Sequence, residues 1–90
     1  MSVDLSRLPI AVDTLVRMGA RRVILFGSAA ETPDRARDID LAVEGIPPEQ
    51  LLDADVALMD ILKQPFDLVS LERDPELDGI ISAYGKVLHG

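Results

Sequence analysis

Three short apolar runs limit how this chain can fold: RVILF (Arg22–Phe26), DIDLAV (Asp38–Val43) and FDLVSL (Phe66–Leu71). Each is strand-length and rich in β-branched or large apolar residues. Between the first two lies AAETPDRAR, polar and interrupted by Pro33, which reads as a loop or one helical turn plus loop. EGIPPEQ then breaks the chain. After it, Leu51, Leu52, Val56, Met59 and Leu62 recur at helical spacing and stop before Pro65. A helix in that position is a crossover, so the third strand is expected to run parallel to the second.

The flanks add one helix at each end. Leu8, Val12, Leu15 and Met18 share a helical stripe, with Ser6 as the expected N-cap, Pro9 in the first turn and Gly19 as the stop. Asp74-Pro75 reads as a cap followed by a first-turn proline, starting a last helix that runs to about Tyr84 with Gly85 as its stop. KVLH then makes a short edge strand. The expected fold is α/β of the α+β kind. A small mixed sheet of three main strands and a short fourth packs with helices in one domain over residues 1–90. Tyr84 is expected to tuck its ring beneath the last helix, and Arg21-Arg22 to mark a solvated start of the first strand. Asp53, Asp55 and Asp60 read as the wet face of the crossover helix. His89 stands alone, without ligand partners in sequence.

Composition narrows the function classes. A chain of 90 residues, 48% hydrophobic and 28% charged, is globular and has no room for a second lobe. Its net charge of −7 disfavours an extended nucleic-acid surface, which needs a basic face. That charge suits a metal-neutralised nucleotide or a basic protein partner. The absence of cysteine suits a reducing cytosol, and a cytoplasmic location is expected. MSVDLSRLP has no basic segment leading into an apolar one, and no run is long enough to span a bilayer, so neither a signal peptide nor a membrane anchor is expected. With only three aromatic residues among so many apolar ones, an apolar helix face open to a partner is expected.

The chemistry concentrates in one stretch. Asp38 and Asp40 lie two apart on a strand, so their side chains project the same way, opposite Ile39, Leu41 and Val43. Carboxylates so close repel one another unless a cation or hydrogen-bond donors compensate. Hard divalent ions such as Mg2+ are held by this kind of ligand together with substrate phosphates. Gly27 allows the backbone to approach a phosphate closely, and Ser28 adds a hydroxyl. Asp67 also opens a strand. If that strand is parallel to the second, and the first strand runs the opposite way, one mixed sheet gathers Gly27-Ser28, Asp38, Asp40 and Asp67.

On VILFGS, RDIDLAVEG, FDLVSLERDPEL and II…YGKVLHG, which fall in the family's order, the chain resembles the minimal nucleotidyltransferases of the polymerase β superfamily. These are found as one half of HEPN–nucleotidyltransferase toxin–antitoxin pairs. The G-S pair followed by D-x-D and a later strand aspartate is the specific part of the resemblance. It implies that Asp38 and Asp40 bind two Mg2+ ions, for which Mn2+ can substitute. It also implies that Asp67 completes the catalytic metal site and helps deprotonate the attacking hydroxyl. Gly27 and Ser28 would cradle the β- and γ-phosphates of ATP, with Arg37 as a further nucleotide contact. The implied reaction moves AMP from ATP onto a hydroxyl of a protein partner, a HEPN-domain toxin in a hetero-oligomer. The segment between Ser28 and Asp38 is one residue shorter than is common in the family, and Arg37 stands where serine is frequent. That loop keeps a second reading in play, an antitoxin that neutralises its partner by contact alone. Arg35 reads as a solvated loop residue or a phosphate contact.

Overall fold

The computed structural model describes residues 3–90. Its elements are α1 (Leu8–Arg17), β1 (Arg22–Phe26), α2 (Ser28–Glu31), β2 (Ile39–Glu44), α3 (Leu51–Leu62), β3 (Phe66–Ser70), α4 (Asp78–Tyr84) and β4 (Lys86–His89). Short 3-10 turns at Pro48–Gln50 and Pro75–Leu77 lead into α3 and α4. The strands form one sheet in the order β3-β2-β1-β4. β1 runs antiparallel to both β2 and β4, whereas β2 and β3 are parallel. The mixed sheet and its short fourth strand are as the sequence leads one to expect.

Strand periodicity divides the apolar residues between the two faces of the sheet. Ile39, Leu41 and Val43 of β2, with Val23 and Leu25 of β1, enter the main core beside Leu8, Ala11 and Leu15 of α1 and Ala54, Leu58 and Leu62 of α3. Full burial of each large aliphatic side chain contributes about 1.5–3 kcal/mol. Ile24 and Ala42 point the other way and meet Leu71 and Ile81 in a smaller cluster, flanked by Phe26, Val69 and Leu77. The sheet is therefore closed by two helices on one face and partly covered by α4 on the other.

Several local expectations change in the structure. Ser6 does not cap α1. Arg7 holds that position without a side-chain bond, and Pro9 sits in the first turn. The Ser6 amide instead donates to Asp4 Oδ1 at 2.9 Å. Gln64 then ties down the Asp4 backbone, accepting from its amide at 3.0 Å and donating to its carbonyl at 2.7 Å. A long-range clamp onto the α3–β3 turn has replaced a local cap. Asp74 also makes no side-chain cap, because the 3-10 turn at Pro75 intervenes before α4. Gly19 does stop the first helical segment, at φ 115°, where a β-carbon is strained. α3 ends at Lys63, which adopts the left-handed conformation (φ 53°) more often taken by glycine.

The crossover helix presents a different face from the one expected. Ala54, Leu58 and Leu62 are its buried residues, whereas Leu52, Val56 and Met59 are 72, 58 and 63% exposed. α3 is apolar on two sides, so helical periodicity alone does not choose between them. Ala54, with no side chain beyond its β-carbon, lets the helix settle against the sheet. Leu52, Val56 and Met59 become an outward stripe, the open apolar helix face that the composition implied.

Arg22 is not a solvated residue. Its Nη2 donates to both carboxylate oxygens of Asp78, at 3.0 and 2.9 Å, and to Glu44 at 3.3 Å. Charge-assisted bonds of this kind are about twice as strong as neutral ones, and they tie the first turn of α4 to β1. Its Nε is buried and unpaired, a cost set against those three bonds. Tyr84 does not pack beneath α4 either. Ile81 is the buried residue of that helix, and Tyr84 is 70% exposed.

Candidate active site

The sheet register places two carboxylates side by side. Asp40 and Asp67 are direct partners across the parallel β2–β3 pair, so they project from the same face with backbones about 4.8 Å apart. On its other side Asp40 faces Phe26, the last residue of β1. Asp38 immediately precedes β2, and the amide of its neighbour Ile39 donates to the Pro65 carbonyl at 3.1 Å. That bond fixes the start of β2 against the start of β3. Antiparallel β1 ends where parallel β2 and β3 begin, which is why Gly27 meets the aspartates.

Gly27 is required on two grounds. Its φ of 69° is left-handed, and a β-carbon there would collide with the Asp40 carboxylate. Ser28 follows at the start of α2 with its side chain exposed. The α2 turn closes on this pair, the Ala30 amide donating to the Gly27 carbonyl at 3.1 Å and the Thr32 amide to the Ser28 carbonyl at 2.7 Å. Ala36 is fully buried and anchors the loop, so Arg35 and Arg37 on either side of it point outward. Among the described residues neither arginine forms an ion pair.

The electrostatics single out Asp40. It is half-buried, whereas Asp38 and Asp67 are exposed. Burial first, then the charges of Asp67 and Asp38, push its carboxyl above the usual aspartate range. One carboxylate thus feels the other two. Among the described residues, no three histidine, aspartate or glutamate side chains are already gathered as a metal cage. Three anions favour rotamers that point apart, and a hard cation reverses that preference. In kind the donor set fits Mg2+: oxygen ligands only, one of them half-buried beside a glycine that leaves its carboxylate room.

The structure therefore brings together Gly27, Asp40 and Asp67 most directly, with Ser28 next to Gly27, Asp38 just before β2 and Arg37 on the adjoining loop. Tyr84, which the sequence reading placed beneath the last helix, and Glu31, to which it gave no role, also belong to this neighbourhood. Tyr84 and Glu31 flank Gly27. Ile81 and Tyr84 are i, i+3 neighbours on one helix face, so helical periodicity gives no signal that Tyr84 leaves the core.

A glycine turn and paired strand aspartates on a mixed sheet define a nucleotidyltransferase fold. The sequence profile described as polymerase beta, nucleotidyltransferase matches residues 15–90, and the chain belongs to that family. The fold also matches a chain in a crystal structure of the toxin–antitoxin MntA–HpeT mutant, with a TM-score of 0.73 and 22% identity, over 98% of this chain and 73% of that one. At that identity the likeness speaks for the fold. No curated protein matches the sequence. Among the described residues, no helix is long and apolar enough to cross a membrane.

Proposed function

We propose that this protein transfers AMP from ATP to a hydroxyl of a protein partner and serves as the antitoxin of a HEPN-domain toxin. The observation that carries the reading is the register pairing of Asp40 with Asp67 beside Gly27. Two divalent ions, Mg2+ or Mn2+, would be held by Asp38, Asp40 and Asp67 and would neutralise the attacking and leaving oxygens. Gly27 and Ser28 take the β- and γ-phosphates, and Arg37 is free to meet a phosphate oxygen. The acceptor oxygen bonds to the α-phosphorus as the bond from that phosphorus to the bridging oxygen breaks. The hydroxyl proton passes to the Asp67 carboxylate, and pyrophosphate leaves. The work of these side chains is positioning and charge stabilisation.

A protein acceptor would bring its own surface to the open side of the sheet. The likeness to a toxin–antitoxin structure supports a toxin in that role. One observation favours the contact-only alternative. The exposed Leu52, Val56 and Met59 stripe on α3 offers a partner apolar surface without any chemistry. Incubation with labelled ATP, Mg2+ and the neighbouring-gene partner decides between them. Label on the partner, lost in Asp67→Asn, supports transfer; a stable complex with no label supports contact.

A further inference from the structure

We infer that the groove between Gly27 and α4 is the nucleobase subsite of this protein, with Tyr84 as its stacking platform and Glu31 as its selectivity contact. The inference rests on the nucleotidyl-transfer reading above. The groove has a volume of about 240 Å3, room for a single ring system rather than for a large ligand. It shares Gly27 with the carboxylate site, so a base in the groove and phosphates beside the aspartates would meet at that residue.

Its chemistry separates the two ends of a nucleotide. Phe26 and Tyr84, two of the three aromatic residues in the chain, line it together with Ile80. Ile80 and Tyr84 are 61 and 70% exposed, an arrangement that leaves apolar surface in water unless a ligand covers it. Such a surface accepts the flat face of a base and repels nothing but charge. Glu31, on the same lining, is an anion and disfavours phosphate. Phosphates therefore lie toward Ser28 and Arg37, and the base toward Tyr84. A carboxylate accepts but cannot donate, so Glu31 favours bases that carry an exocyclic amine. Adenine, guanine and cytosine carry one; uracil offers only an N3–H flanked by two carbonyl oxygens, which a carboxylate repels. The wall is held in place before any ligand arrives, because Arg22 and Asp78 pin α4 to β1.

Calorimetric titration of the full chain in Mg2+, with ATP and with inorganic tripolyphosphate as the two probes, tests this. Tyr84→Ala should weaken ATP by about tenfold, the loss of one base–aromatic stack, and leave tripolyphosphate unchanged. Tyr84 is exposed, so the variant keeps its fold. Glu31→Gln should narrow the preference for ATP over UTP. Equal ATP affinity in Tyr84→Ala and the parent overturns the subsite. If that variant instead weakens only the protein acceptor, the groove belongs to the acceptor. Failure of the parent to bind either probe overturns the transfer reading itself and this inference with it.

Discussion

On the face of the sheet covered by α1 and α3, Ile39, Leu41 and Val43 meet Leu15 and Leu58 with essentially no exposed surface. On the opposite face, the same strands present Asp40 and Asp67 next to Ile24 and Ala42, and only the short α4 gives cover. The difference is one of alternate residues along a single strand. Ile39 and Leu41 stabilise the fold, while Asp40 between them costs stability, because it is half-buried and faces like charge. The closed face supplies the free energy that lets the open face hold carboxylates that repel one another.

The largest effect should come from breaking the closed face. Leu58→Ala removes a fully buried side chain and should cost roughly 3 kcal/mol, within the usual 2–5 kcal/mol for such truncations. In a domain of this size that lowers Tm by more than about 10 °C. A loss below about 1 kcal/mol would mean that α3 repacks and that the two faces are less unequal than they look.

The open face should behave in the reverse sense. Asp38→Asn with Asp40→Asn should lower nucleotide transfer by roughly a hundredfold or more, a loss typical of removing charge stabilisation from a reacting centre. Its Tm in EDTA should equal or exceed that of the parent. Mg2+ with ATP should raise the parent's stability by about 2.7 kcal/mol at a hundredfold excess over Kd and should do little for the double variant. Full protection of cells from the toxin by the double variant would end the catalytic reading and leave the contact reading standing.

Acid titration sharpens the contrast further. The Asp40 carboxyl is raised in the folded state, so without metal its contribution is present below the unfolded value of about 3.9 and is lost as pH rises through the folded value. Asp40→Asn should therefore gain up to about 1 kcal/mol at neutral pH relative to acid, kept small by solvent screening. Asp78, held below the usual range by the Ser82 hydroxyl and then by Arg22, has the opposite sign. Its contribution is present above the unfolded value and is lost as pH falls through the lowered one. Asp78→Asn should flatten the acid limb of the stability profile, and denaturant melts across pH read both variants. Coincident profiles for the two variants would show that α4 anchoring and the carboxylate cluster are not separate.

The smallest expected effect lies outside both faces. Lys63→Gly relieves a left-handed residue at the end of α3 and should gain roughly 0.5 kcal/mol, with transfer unaffected. A change in activity would tie the α3–β3 turn to the site through its bond from the Ile39 amide to the Pro65 carbonyl.

Much of this was legible in the residues themselves. DIDLAV carries its own face assignment, because period two separates Ile39, Leu41 and Val43 from Asp40 whatever surrounds it. A crossover helix between the second and third runs makes β2 and β3 parallel, and a glycine-serine pair ending β1 then has one productive place to be. Caps were less legible. Ser6 and Asp74 look like N-caps in sequence, but a cap competes with distant partners such as Gln64 and with the 3-10 turn at Pro75.

The sequence by itself determined the strands, their directions and the identity of the carboxylates, because these follow from local periodicity and chain connectivity. Tertiary structure decided which side of α3 is dry and whether Tyr84 is core or surface, and it turned Arg22 into an anchor. It also decided that Asp40 alone carries the burial that perturbs the cluster. Each of these depends on what another element does at the same place. α3 is apolar on two sides, and only its fit against the sheet through Ala54 chooses between them. Tyr84 is the last residue of α4, one turn beyond the buried Ile81, and the anchoring of that helix to β1 through Arg22 and Asp78 leaves the tyrosine outside, beside the glycine turn.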